Sequence, residues 1–161
     1  METLAPTTNH VELKKKMLDS SIKKHQTVID DFQTNIKDLL ASEGNINEEE
    51  FDLSQQEFNA ETLQQVNRIA DQLKFANDEM VTLYNMLPTI GTIHQEIQLG
   101  AAVVTDKDIF FVSASIERFE VDGLRVFGLS TESPLFKVME GKRSGDTFTY
   151  GKETYVVKDV F

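Results

Sequence analysis

A helical hairpin followed by a small antiparallel sheet with one short helix, an α+β chain, is what the sequence predicts. Three observations carry that reading. Two heptad arrays fill the first half, a turn-prone run of carboxylates separates them, and beyond Pro88 short apolar runs punctuated by glycine replace the helical period.

In the first array Val11, Leu18, His25, Phe32 and Leu39 recur every seven residues, with Lys15, Ile22, Ile29 and Ile36 at the alternate positions. In the second, Val66, Leu73, Met80 and Leu87 recur in the same way, interleaved with Thr62, Ile69, Ala76 and Leu83. Seams of matching length predict an antiparallel coiled-coil hairpin over residues 1–88, with Val11 near Leu87 and Leu39 near Asn59. Arms of roughly 30 residues, rising about 1.5 Å each, reach on the order of 45 Å. Asn9, with Glu12 three residues on, is a candidate start for the first helix. The second helix has two candidate capping boxes, Asn47 with Glu50 and Ser54 with Glu57, and local signals leave both open. The first would put Glu48, Glu49 and Glu50 in a first helical turn, in directions fixed by the backbone.

The tip of this hairpin, about residues 40–58, is where the charge pattern is most unusual. Asp38, Glu43, Glu48, Glu49, Glu50, Asp52, Glu57 and Glu61 follow one another without a Lys or Arg between them. Carboxylates are hard oxygen ligands suited to Mg²⁺, which keeps several waters and takes one or two protein carboxylates. The plainer reading is a solvated end that keeps the hairpin soluble, and both stay open on the residues alone. Ile46, Phe51, Leu53 and Phe58 either cover the end of the hairpin or touch a partner.

Residues 89–161 predict a second domain. Candidate strands are 98–105, 109–114, 124–129, 147–150 and 154–160, separated by turn residues. Ser133 followed by Pro134 marks a helix start, Leu135, Val138 and Met139 its apolar face, and Gly141 its stop. Phe110, Phe111, Phe119, Phe127 and Phe161 are candidates for the sheet core.

The 161 residues hold 27 acidic and 16 basic side chains, a net charge of −11. That balance argues against gripping duplex DNA through its phosphates and favours a basic surface on a protein partner. There is no cysteine, which excludes disulfides and thiolate metal sites. The first residues lack the apolar core of a signal peptide and no run approaches membrane-spanning length, so a soluble cytoplasmic protein is expected. His10, His25 and His94 lack the close pairing of a zinc site, and His25 lies on the seam. Scattered serines without a His/Asp partner give no nucleophilic centre. Lys14, Lys15, Lys16, Lys23 and Lys24 form a basic hairpin base, expected as a solvated face.

Ser130-Thr-Glu-Ser133-Pro134-Leu135, then Gly141-Lys142, then Gly145-Asp146 and a closing strand, resembles the C-terminal FKBP-like domain of the bacterial Gre transcript cleavage factors, a transcription elongation factor family with the pattern S-x-x-S-P-L, G-K, G-D. Ile97 to Val103 is similar to that domain's opening strand, and the family's acidic-tipped coiled coil precedes it in the same order. The resemblance implies an FKBP-like fold for residues 89–161. It further implies that the coiled coil enters the secondary channel of RNA polymerase while the globular domain docks at the rim. Tip carboxylates then help hold Mg²⁺ and a water at the polymerase active centre, promoting hydrolysis at the 3′ end of a backtracked RNA. On that reading the chain is an accessory factor, not an enzyme, with no cofactor of its own, and an intramolecular hairpin makes a monomer the expectation.

The family tip of glycine, aspartate, two residues, glutamate and asparagine falls on Gly44, Asn45, Ile46, Asn47, Glu48 and Glu49. Glu48 matches, Asn45 puts a weak amide ligand in place of the aspartate, and Glu49, Glu50 or Asp52 could supply the missing charge. Glu48 and Asn45 are thus the candidates for the shared Mg²⁺, and Glu48, Glu49, Glu50 and Asp52 for the assisting carboxylates. Ser130, Ser133, Pro134, Leu135, Gly141, Lys142, Gly145 and Asp146 are carried over as partner-binding or structural residues. Two rival expectations are a channel-occupying regulator that does not cleave and a coiled-coil interaction module unrelated to transcription.

Overall fold

The computed structural model describes residues 7–42 and 59–161, the side chains from Asn9 onward. Two long helices come first, α1 (Thr7–Ala41) and α2 (Ala60–Met86), the latter closed by a single 3-10 turn at Leu87–Thr89. Six strands follow, β1 (Ala102–Thr105), β2 (Ile109–Ser113), β3 (Ile116–Val121), β4 (Leu124–Ser130), β5 (Thr147–Tyr150) and β6 (Glu153–Val160), with the short helix α3 (Pro134–Met139) between β4 and β5. The predicted α+β architecture is therefore present.

The chain forms two compact units. The first joins the base of the hairpin, α1 up to Lys24 and α2 from Glu79, to everything C-terminal of it; the second is the hairpin from His25 to Asp78. In the second unit Ile29, Leu40 and Ala76 are buried, while Phe32, Ile36, Leu39, Val66, Ile69 and Leu73 are half-buried, as a two-helix seam allows. His25 Nε2 lies 2.7 Å from the Ala76 carbonyl. The length-matched pairing sets His25 opposite Leu73, three residues before this acceptor. At the base, a Cβ added to Gly91 would lie 3.7 Å from Val11 Cγ1, and Leu87 is exposed.

The seam also widens at the base. Leu13, Lys14, Met17, Leu18 and Ser21 are all buried there, whereas the expected seam residue Lys15 is exposed. A helix with 3.6 residues per turn drifts from a strict seven-residue repeat, and this end of α1 is covered on a wider arc than a coiled-coil stripe. Asn9 is not the cap of α1, because the helix already runs from Thr7.

The strands form one sheet in the order β3-β4-β2-β1-β6-β5. All neighbours are antiparallel except β2 and β4, which run parallel with Phe110 opposite Phe127. The sequence reading missed β3, whose Glu117, Arg118 and Glu120 hide an alternating strand with Ile116, Phe119 and Val121 buried. A register shift between Ile116 and Phe119 breaks the regular period there. Gly128, opposite Ile116, allows it: a Cβ at this position would lie 2.6 Å from both the Ala114 carbonyl oxygen and Ile116 Cβ.

One core packs Val103, Phe110, Val112, Leu129, Phe148 and Val157 around Phe136 and Met139 of α3. The buried face of α3 is thus Phe136 and Met139; Leu135 is half-buried and Val138 exposed. Phe110, Phe111, Phe119 and Phe161 are buried as expected, Phe127 half-buried. Burial of each aromatic contributes about 1.5–3 kcal/mol.

Candidate functional site

Asn45, Glu48, Glu49, Glu50 and Asp52, the carboxylate-tip candidates, lie outside the described residues, as do the two candidate caps Asn47 and Ser54. The structure describes the helix ends that flank them. α1 closes with Ser42, whose amide and hydroxyl donate to the Asp38 and Leu39 carbonyls at 3.0 and 2.8 Å. α2 opens at Asn59, whose Oδ1 accepts from the Glu61 amide at 2.8 Å, a cap the sequence reading passed over. Its signal was present: an Asn just ahead of Glu61 and the apolar repeat.

The family-motif residues are brought together, and their polar atoms serve the backbone. Ser130 Oγ accepts from the Glu132 amide, and Ser133 Oγ caps α3 by accepting from the Phe136 amide, both at 3.1 Å. Pro134 fills the first helical position, where no amide is needed. Ile97 and the Gly141-Lys142 pair exchange two hydrogen bonds of 2.9 Å. Asp146 Oδ2 accepts from the Arg143 amide at 2.8 Å, closing a turn in which Gly145, at φ +94°, donates to the Val157 carbonyl. Sequence spacing at these positions therefore encodes a helix start and two turns.

Lysines at the hairpin base do more than face solvent. Lys16 pairs with Asp122 at 2.9 Å, and Lys24 donates to the Arg118 carbonyl at 2.7 Å. From α2, Glu79 accepts from the Ser115 amide at 2.5 Å. These three contacts land on β3 or its flanking turns, so strand β3, absent from the sequence reading, is also the strand that the helix bases touch. His10 stacks on Phe161 with ring centroids 4.0 Å apart and lies 3.5 Å from Asp159.

Lys14 is wholly buried and donates to the Thr92 carbonyl at 2.6 Å. Loss of hydration pulls its pKa from 10.5 down to about 8. His94 is lowered too, first by burial and then by the Lys14 charge. His94 and Thr92, the acceptor of Lys14, line a cleft of ≈ 460 Å³ formed by the end of α2 and the segment leading to β1, and Lys14 itself lies behind that wall. Elsewhere, Asp106 is held low chiefly by the Val156 amide that it accepts from, while burial and then Asp108 raise Tyr155. Among the described residues no cluster of His, Asp or Glu has the grouping to hold a metal ion. None of the described helices is long and apolar enough to cross a membrane.

No family model matches the chain, and no curated protein does. Among solved structures, the chain is similar to the GreA factor homolog 1 (Gfh1) protein of Thermus thermophilus, at 15% identity and a TM-score of 0.33, covering 90% of this chain and 92% of that one. It is similar also to Thermus aquaticus Gfh1, at 15% identity and a TM-score of 0.35, covering 92% and 94%.

Proposed function

We propose that this chain is a Gre-like accessory factor of RNA polymerase, which inserts its hairpin into the secondary channel and promotes Mg²⁺-dependent cleavage of backtracked transcripts. The observation that carries the reading is the eight-carboxylate run without a cation, which extends from the last turn of one hairpin helix to the first turn of the other. Its companion is the Ser130-to-Asp146 motif in the sheet domain behind it. The chain contributes oxygen ligands to a metal that belongs to the polymerase: Glu48, with Glu49, Glu50 or Asp52, would share Mg²⁺ and orient the attacking water, and Mg²⁺ supplies the polarisation of the phosphodiester. No nucleophilic side chain is required of the chain itself.

The test is RNA cleavage by a halted, backtracked polymerase in Mg²⁺, comparing buffer, the intact chain and the Glu48→Ala/Glu49→Ala/Glu50→Ala variant. Shortened RNA with the intact chain alone supports the reading; no effect of any kind overturns it. Asn45 favours a second reading, a channel-occupying regulator without cleavage, because an amide cannot replace the charge of a carboxylate at a metal. Slowed elongation without shortening would select it.

A further inference from the structure

A lysine in a helical seam ordinarily extends its stem and keeps its charge in water. Lys14 does not. Its side chain is fully buried, an ammonium can donate three hydrogen bonds, and the structure supplies one acceptor, the neutral Thr92 carbonyl. Among the described residues no carboxylate stands within ion-pair distance of it. A buried cation without a counter-ion is costly, so its field reaches outward through low-dielectric surroundings instead of being cancelled.

Lys14 lies behind the wall of a cleft rather than in it. Thr92, the acceptor, is itself a wall of the cleft, and His94, two residues on, feels the Lys14 charge. Gly100, at φ +92°, makes room for the imidazole: a Cβ there would sit 3.2 Å from His94 Nε2. The remaining wall combines the Asn85 amide and the Thr82 and Thr89 side chains with Met86, Ile90 and Leu99, the last about half exposed.

We propose that this cleft binds a carboxylate carried on a short apolar body, the anion drawn by Lys14 and oriented by Asn85 and His94, the apolar part lying on Met86, Ile90 and Leu99. One ammonium balances the single charge of a carboxylate, whereas a phosphate dianion would leave a negative charge uncompensated in the cleft. The site shares no residue with the acidic run and does not depend on the polymerase reading. Its carboxylate can come from a free aliphatic acid or from the C-terminus of a peptide.

The experiment is amide-resolved NMR titration of the full chain with hexanoate, with n-hexanol as neutral control, and with N-acetyl-Gly-Gly-Leu as the free acid and as the amide. The proposal expects saturable shifts at Thr92, His94, Leu99 and Gly100 from the acids, with the tighter of the two acids naming the source, and little from hexanol or the amide. Lys14→Met, a neutral side chain of similar length, should weaken the acids at least tenfold, about 1.4 kcal/mol or more. Asn85→Asp, on the exposed side of α2, should weaken them as well and leave hexanol unchanged, which keeps the test valid if the Lys14 variant misfolds. Equal response to acid and neutral probes would overturn the proposal. So would unchanged acid binding in either folded variant, or no shifts at up to about 20 mM, a range that covers weak millimolar affinity.

Discussion

The interior of the sheet and the interior of the hairpin are built on different principles. Phe111, Val103, Val112, Val126 and Val157 of the sheet are almost completely buried and wholly apolar, and strand pairing satisfies their backbone. Along α1, Lys14, Ser21 and His25 are buried among Leu13, Met17 and Leu18. Each reaches a main-chain carbonyl, at Thr92, Met17 and Ala76, over 2.6 to 2.7 Å. The sheet domain also buries Thr105, Ser113 and Ser130, but each bonds to backbone only two or three residues away, so none of these bonds links distant segments. Two of the hairpin's three polar residues instead tie α1 to a specific place on another segment, and polar groups in a seam select register at some expense of stability.

Four substitutions sharpen or break this contrast, from the largest effect to the smallest. Phe111→Ala should cost about 3–5 kcal/mol in urea unfolding, because it empties the middle of a fully packed layer. A cost below about 1 kcal/mol would mean that the sheet is not the stable half.

Lys14→Met should do the opposite. With the Lys14 pKa near 8 in the fold and 10.5 unfolded, the cost of burying the ammonium is present in full below about pH 8. Between pH 8 and 10.5 the unfolded chain binds more protons, so stability should rise with pH, by an order-of-magnitude ~3 kcal/mol. Lys14→Met should gain stability at pH 7 and flatten that rise; denaturation midpoints across pH 7 to 10.5 check both.

Gly128→Ala should destabilise by about 1–3 kcal/mol, since the new methyl meets the Ala114 carbonyl and Ile116. A thermal midpoint equal to the unsubstituted chain would contradict the close approach of β3 and β4. Ser133→Ala, which removes the α3 cap, should cost about 1 kcal/mol by the same measurement.

Much of the architecture was legible because apolar period and turn chemistry are local. The two helices, five of six strands and the Ser133-Pro134 helix start follow from spacing alone. What was not legible depends on tertiary partners. Strand β3 reads as polar because Glu117, Arg118 and Glu120 face outward around three buried residues. Which carbonyl a buried polar atom finds is likewise a tertiary outcome, as with His25 and the Ala76 carbonyl. Lys14 rather than Lys15 is buried because the base of α1 belongs to the same compact unit as the sheet. For the candidate site, sequence alone identified the carboxylate run; the Asn59 cap had a local signal that was passed over, and the Ser42 closure became visible only with the backbone.

The central claim, that the acidic tip reaches the polymerase metal centre, has one direct test. The chain contains no cysteine, so Glu48→Cys creates a single labelling site for a tethered iron chelate that cuts nearby RNA and protein. Bound to a backtracked polymerase, the labelled chain should cut at the 3′ end of the RNA and at the loops that hold the catalytic Mg²⁺. Cuts confined to the outer surface of the polymerase, or none, would contradict the account.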